Sequence, residues 1–564
     1  MQESILGVFR GSVIIGQMIA DINITEKSFG AKQLMSGVAF GVDDGEKIGV
    51  IGRNGIGKST LFDILAGTDT DYTGSVIYHR GVTVVATAQE HHGIGDVTVM
   101  EYILAGLPEY SHLHQIITTY PETMADNMRK INEYSQALDR FGQKGYYQIE
   151  EMVAEELKNF QLGGFENRSL ASLSGGQKRL IEIVKIMHSD ADLALIDEPT
   201  NHMDYQAKQQ FIDWLKRSNQ AMLVITHDRD VLGEVDKIIE LTDGVTKSYK
   251  GNYEAYLKQN AHSTSNSITE FELLKRRKAN LQDKVIQFRR LKERARDPDT
   301  IKQFKRRENQ AADELAELEK IEKPTFWIDQ GNVANLNYKV ADSYDKYKAR
   351  NIRLHVKSDS SRSKHILVKA ENLALGYDDN ILFDGVNIDL REGEAVELRG
   401  RNGAGKTTII KYLLGSTDNI KLFDGSLTLD PNVRIGVYEQ EISEKYLNLP
   451  LALAIEQMYL ERKLAISETR IRQLMNDYLF TDDDRQIKLS LLSGGQKARF
   501  QLISMLANEP QLLILDEPTN HLDLPSIEEL ESALDKFAGA ILYVSHDNYF
   551  RNKIGGDVVQ VGLA

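Results

Sequence analysis

The chain has 564 residues, 41% hydrophobic and 27% charged, with a formal net charge of −15; that length asks for two or three cores, and that balance is ordinary for a soluble globular protein. It contains no cysteine, which excludes disulfides, thiolate metal sites and cysteine nucleophiles. No stretch approaches the ~20 apolar residues that span a bilayer, so a cytoplasmic protein with no membrane segment of its own is expected.

Residues 1–17 carry an apolar stretch broken by Gly11, Ser12, Gly16 and Gln17, a poor signal peptide, and are read as an N-terminal tail. A first α/β domain is expected over 18–259, opening with a strand from Met18 to Ile24. Ile48, Val50 and Ile51 predict a buried strand that runs into Gly52-Arg-Asn-Gly-Ile-Gly-Lys58-Ser59 and a helix starting near Lys58. The region from about 107 to 160 reads as an enlarged helical part with a break at Tyr120-Pro121. It is followed by LSGGQK from Leu173 to Lys178, the apolar strand Leu193 to Ile196, and DEPTNHMD from Asp197 to Asp204. Strands alternating with helices imply a largely parallel central sheet.

A helical hairpin is expected over 260–330. Ser263 to Ser267 is polar, Asn266 or Ser267 is a plausible N-cap, and Ile268 to about Arg296 reads as a helix with Phe271, Leu274, Leu281, Val285 and Phe288 on one stripe. Asp297-Pro298-Asp299 stops it, and a second helix from Ile301 to about Ile321 aligns Phe304, Ala311, Leu315, Leu318 and Ile321. Between Lys275 and Arg307 there are 14 Lys and Arg against 4 Asp and Glu, a local +10 that leaves −25 for the remainder. One-sided charge on facing helices repels unless a polyanion neutralises it, which points to nucleic acid.

Residues 331–365 are read as a connector, and the second α/β domain, 366–564, repeats the plan of the first. Ala395 to Leu398 leads into Gly400-Arg-Asn-Gly-Ala-Gly-Lys406-Thr407, LSGGQK recurs at Leu492 to Lys497, and DEPTNHLD at Asp516 to Asp523. Ser174 and Ser493, Glu198 and Glu517, and His227 and His546 are each 319 residues apart. The copies differ upstream of the signature, where Gln89 to Ser174 spans 85 residues and Gln440 to Ser493 only 53.

Both glycine-rich turns fit GxxxxGK[ST], whose backbone N–H groups curl around phosphates while the lysine reaches the β- and γ-phosphates and the hydroxyl ligates Mg²⁺. The candidate ATP-binding residues are Gly52, Asn54, Gly55, Gly57, Lys58, Ser59 and Thr60, and Gly400, Asn402, Gly403, Gly405, Lys406, Thr407 and Thr408. Asp197 and Asp516, each ending an apolar strand, would join Ser59 and Thr407 in the Mg²⁺ shell, and Glu198 and Glu517 would polarise the attacking water.

Paired P-loops, LSGGQ and DEPTNHxD resemble tandem ATP-binding-cassette ATPases. The resemblance implies, for each cassette, a parallel-sheet core with an antiparallel β-subdomain and a helical subdomain. It makes His227 and His546 switch histidines and Gln89 and Gln440 the glutamines that sense metal and water. It also implies that Ser174, Gly175, Gly176 and Gln177 complete the site of Lys406, and Ser493, Gly494, Gly495 and Gln496 that of Lys58, with two ATP molecules sandwiched between the cassettes of a monomer. Phe29 and Tyr377 stand where an adenine-stacking aromatic belongs.

The basic hairpin, the NH of DEPTNH and GNYxxY at Gly251 to Tyr256 narrow the resemblance to the ABC-F family, although Met203 replaces a leucine and the hairpin tip carries two aspartates. That family implies a ribosome-binding ATPase near the tRNA exit site, its hairpin directed at P-site tRNA and the peptidyl-transferase centre, as a translation factor or an antibiotic-resistance protein. The alternative is a soluble tandem ATPase subunit of an importer, which needs no such hairpin.

Overall fold

The computed structural model describes residues 17–29, 32–88, 96–123, 127–201, 203–319, 346, 352, 354, 365–416, 419–438 and 442–562. Gln89, Gln440, Ile321, residues 1–16 and most of the 331–365 connector lie outside them. The chain forms two compact units, one of residues 1–253 with 354–564 and one of 254–353.

In the first cassette, β1 (Met18–Phe29), β2 (Lys32–Met35) and β3 (Val38–Asp43) make an antiparallel sheet in the order β2-β1-β3. Ala20, Ile22 and Ile24 of β1 are buried while Asp21 and Asn23 are exposed, the period-two pattern of a sheet with one wet face. The next elements are β4 (Lys47–Gly52), α1 (Lys58–Leu65), β5 (Thr73–Tyr78), which also pairs with β1, and β6 (Val84–Ala86).

Helices α2 (Val99–Ala105), α3 (Tyr110–Thr123), α4 (Met128–Gln143) and α5 (Ile149–Asn159) then form the enlarged region. Its centre is aromatic, Tyr110, Phe141 and Tyr146 meeting at ring distances of 5.3 to 5.7 Å. The expected break at Tyr120-Pro121 is absent, and α3 runs through Pro121 to Thr123. Proline removes the hydrogen bond that its N–H would make to the carbonyl of Ile117, and the helix carries on past that loss for two more described residues.

The chain continues through α6 (Gly175–Met187), β7 (Leu193–Asp197), α7 (Tyr205–Arg217), β8 (Ala221–Ile225), α8 (Arg229–Leu232), β9 (Lys237–Thr242) and β10 (Val245–Lys250). The core sheet has the order β10-β9-β4-β8-β7-β6, parallel except for β10. Every residue of β7 and β8 is buried, as parallel strands covered on both faces must be.

The 254–353 unit holds two long helices. The first, α9 (Tyr253–Arg294), is continuous for 42 residues, about 60 Å at the α-helical rise. The polar run 263–267 therefore lies inside the helix and supplies no N-cap. Thr264 and Ser265 are buried, and Thr269 returns its hydroxyl to the Ser265 carbonyl at 2.7 Å, so the polar run is carried within the helix instead of ending it. The second, α10 (Pro298–Glu319), begins three residues earlier than expected. Asp297 accepts from the Thr300 N–H at 2.9 Å, and Pro298 occupies the first helical position, where its missing N–H is harmless. Asp297-Pro298 thus stops one helix and starts the next.

Arg289 pairs with Glu308 at 3.1 Å and Arg277 pairs with Glu314, an antiparallel register. Leu281 and Ala311 are buried and Phe288, Phe304 and Leu315 half-buried, so both stripes face inward.

The second cassette repeats the first. An antiparallel sheet has the order β12-β11-β14, from β11 (Ile366–Tyr377), β12 (Asn380–Arg391) and β14 (Ile420–Leu429). Between the last two come β13 (Ala395–Arg399) and α11 (Lys406–Leu413). After β15 (Ile435–Tyr438) the helical part is shorter, α12 (Glu444–Leu447), α13 (Leu451–Glu461) and α14 (Glu468–Asp477). Then follow α15 (Gly494–Leu506), β16 (Leu512–Asp516), α16 (Leu524–Asp535), β17 (Ala540–Val544), α17 (Asn548–Ile554) and β18 (Asp557–Gln560). Its core sheet is wholly parallel, β15-β16-β17-β13-β18.

Candidate active sites

Neighbouring parallel strands deliver the motifs to one sheet edge. In the first cassette β4 ends at the P-loop, β7 at Asp197 and Glu198, and β8 just before His227; β13, β16 and β17 do the same in the second. Ligands of open α/β sheets bind beyond such carboxyl ends.

The P-loops turn into their helices through Gly57 (φ 108°) and Gly405 (φ 98°), left-handed caps suited to residues without a Cβ. Lys58 donates to the carbonyls of Gly52 (2.6 Å) and Arg53 (3.2 Å), and Lys406 to those of Gly400 (2.7 Å) and Arg401 (2.9 Å). Burial lowers the pKa of both lysines.

Ser59 donates to Asp197 at 3.0 Å and Thr407 to Asp516 at 2.9 Å. Among the described residues no three His, Cys, Asp or Glu side chains cluster to hold a metal. A hydroxyl beside one carboxylate nevertheless fits Mg²⁺, which prefers oxygen and takes its other positions from water and phosphate.

Glu198 and Glu517 adopt left-handed backbone, φ 46° and 49°, costly for a side chain of this size and a known mark of functional strain. Each is pinned by its N–H to the neighbouring strand, Glu198 to Ile225 (2.8 Å) and Glu517 to Val544 (3.0 Å). Burial raises their pKa, to about 8 for Glu198, with Asp197 adding to it, and about 7 for Glu517; Asp516 is raised by burial to about 6. His227 lies 3.5 Å from Glu198 and His546 3.3 Å from Glu517. Burial lowers the histidines to about 3 and about 4, with the nearby P-loop lysines adding to the shift. Each imidazole is therefore neutral and each glutamate can hold or release a proton near neutrality.

Both signatures are capping boxes. Ser174 accepts from the Gln177 N–H at 3.3 Å while Gln177 accepts from the Ser174 N–H at 3.0 Å, and Ser493 with Gln496 repeats the pair at the same distances. One cavity of about 870 Å³ is lined by Ser174, Gly176 and Gln177 of one cassette and by Lys406, Thr407, Thr408 and Glu517 of the other; Asn54, Gly55, Ser493, Gly494 and Gly495 line it as well. A Cβ added to Gly495 would stand 2.2 Å from Asn54 Nδ2, so this approach needs glycine. Tyr377 lines the cavity and its hydroxyl lies 3.3 Å from Thr408, whereas Phe29 is 63% exposed and outside the lining.

The last aspartates of the DEPTNHxD runs carry a role the sequence analysis left unassigned. Asp204 Oδ1 caps α7 by accepting from Ala207 (2.9 Å), and its Oδ2 accepts from the N–H of Asn402 in the opposite P-loop (3.3 Å). Asp523 mirrors this with Ser526 (3.1 Å) and Asn54 (3.3 Å). Their recurrence at one offset in both copies was the available signal.

A family model described as ABC transporter matches residues 35–201 and 383–520. "Putative ATP-binding protein YdiF" of Bacillus subtilis is 31% identical over 96% of this chain and 80% of its own length, and "ABC transporter F family member 5" of Arabidopsis thaliana is 28% identical over 95% and 75%. The chain belongs to the ABC-F family. As an ABC-F protein it is an ATPase with two ATP-binding cassettes. Its fold resembles the archaeal ribosome recycling factor aABCE1, solved in complex with ribosomal stalk protein aP1, at a TM-score of 0.54 and 18% identity over 95% of this chain and 90% of that one. Among the described residues no helix of this ABC-F chain is long and apolar enough to cross a membrane.

Proposed function

We propose that this ABC-F protein sandwiches two Mg²⁺-ATP between its cassettes, uses hydrolysis to release them, and acts on the ribosome near the tRNA exit site, with its hairpin directed at P-site tRNA and the peptidyl-transferase centre. The observation that carries the nucleotide half is the shared cavity, in which the signature of one cassette meets the P-loop of the other. In this reading Lys58 and Lys406 bind phosphate, Ser59 with Asp197 and Thr407 with Asp516 hold Mg²⁺, and Glu198 and Glu517 accept the proton of the attacking water. His227 and His546 orient that water and the γ-phosphate as neutral donors, Gln89 and Gln440 sense the metal, and Tyr377 and Phe29 stack on adenine. Bound Mg²⁺ would supply charge neutralisation to the phosphates.

The RNA half is supported by the hairpin. Arg290, Arg294, Arg296, Lys302, Lys305, Arg306 and Arg307 have no ion-pair partner among the described residues, while Glu308 and Glu314 neutralise part of the remaining charge. A cluster of unpaired cations favours a phosphate backbone. The role is that of a translation factor, or of a ribosome protection protein acting against antibiotics.

In the double variant Glu198→Gln, Glu517→Gln, ATP turnover should fall by roughly 10² to 10⁴, the usual worth of a general base, and ATP should trap the protein on ribosomes in co-sedimentation. Retention on membranes without ribosome trapping would point to the importer subunit instead, and retention on DNA would discard the ribosome as partner. Replacing Arg294, Arg296, Lys305 and Arg306 with Gln should weaken ribosome association and flatten its salt dependence while ATP binding stays unchanged.

A further inference from the structure

The two ATP sites receive different help from the opposite cassette. Lys208, on α7 of the first cassette, is buried. Its ammonium pairs with Asp228 (2.8 Å) and Asp230 (2.6 Å) of its own cassette and donates to the main-chain carbonyl of His546 in the other (3.1 Å). All three protons of the group are thereby used. His546 in turn donates its N–H to Glu517 at 3.2 Å, so the lysine is one peptide unit removed from the glutamate. The opposite edge of the loop is held by Asn548, which donates to Asp230 at 2.8 Å.

At the equivalent position of the second cassette, 319 residues on, stands Ile527, which lines the same cavity. An isoleucine has no donor, so this position gives the carbonyl of His227 no such tether. Burying an ammonium is costly unless it is fully paired, and here two carboxylates and a carbonyl meet that requirement at one site only.

We infer that Lys208 is a positioning residue supplied by the first cassette to the second cassette's ATP site, where it fixes the His546 loop against Glu517 when the cassettes close, and that the two sites are unequal for this reason. The inference rests on the assignment of Glu198 and Glu517 as general bases.

The test measures ATP turnover in two single-site backgrounds. Glu198→Gln leaves turnover to the site of Lys406 and Glu517, and Glu517→Gln leaves it to that of Lys58 and Glu198. Lys208→Met should lower kcat about tenfold in the first background, the scale of one lost charge-assisted hydrogen bond, with KM changed less than twofold. The loss should be at least several times larger there than in the second background, and Lys208→Arg should restore most of it. Lys208→Met combined with Asp230→Asn, which strands one carboxylate fewer, should show the same bias if the single variant folds poorly. Equal losses in both backgrounds, or no rescue by arginine, would overturn the inference. A fall in turnover of less than about tenfold in the double Glu→Gln protein, against the roughly 10² to 10⁴ of a lost general base, would instead break the base assignment on which it stands.

Discussion

Aligned on their shared motifs, the two cassettes hold Lys208 against Ile527, Ile212 against Glu531, Arg229 against Asn548 and Asp230 against Tyr549. The phosphate-handling residues repeat, while these contact residues do not. The first cassette brings two buried cations to the interface. Arg229 reaches Glu531 and Asp547 of the second cassette (3.4 Å to the latter) and lies 4.9 Å from the Tyr549 ring. Chemistry constrains a P-loop or the glutamate after the strand-ending aspartate in each copy, whereas a pairing surface needs only complementarity, so two fused copies are free to divide the charges of their contact between them.

The largest way to break this comparison is Arg229→Ala, which would take from the buried Glu531 and Asp547 the guanidinium that reaches both. Stranding one side of a buried pair costs about 3–5 kcal/mol, so thermal unfolding of the ATP-bound protein should fall sharply. Asn548→Ala, the aligned change, removes two hydrogen bonds, one to Asp230 and one from Arg551, each worth about 1 kcal/mol, and should move it less; equal effects would mean the interface is symmetric in energy despite its sequence. Next in size, Gly495→Ala places a methyl against Asn54 and should slow turnover about tenfold by misplacing one signature. Measured in the two single-site backgrounds, the loss should fall on the site of Lys58 and Glu198.

The smallest effect is a dependence of stability on pH. Glu198 and Glu517 have folded pKa values raised to about 8 and about 7. The folded state therefore keeps protons that the unfolded chain releases above about pH 4.5, and stability is lost as pH rises from there through the folded values. Replacing either glutamate with neutral glutamine should raise the unfolding temperature at pH 8 and leave it unchanged near pH 4. The gain should be larger for Glu198→Gln; a gain of the same size at both pH values would exclude titration as the cause.

What the sequence made legible was whatever chemistry writes in adjacent residues. P-loops, signatures and aspartate–glutamate pairs could be read because phosphate binding needs consecutive glycines and a strand end places neighbours together. Lys208 and Arg229 could not be, since their partners across the interface lie more than 300 residues away and become neighbours only when two cassettes meet. Local rules also gave way to packing in the hairpin. Thr264 and Ser265 favour caps in isolation, yet they are buried within α9, where the Ser265 carbonyl accepts from the Thr269 hydroxyl. At Asp297-Pro298 the rule that proline ends a helix was right, but its companion, that proline also begins one, was needed to place α10.

The two oxygens of Asp204, and of Asp523, divide their work between loyalty and exchange. One oxygen of each stays with its own helix, and the other reaches a backbone N–H of the opposite P-loop. On the cycle proposed above, parting of the cassettes would leave each helix its cap and cost each aspartate the bond it makes across the interface, so the loss would fall on contacts between the halves, those of Lys208, Arg229 and Asn548 among them, and not on the helices themselves.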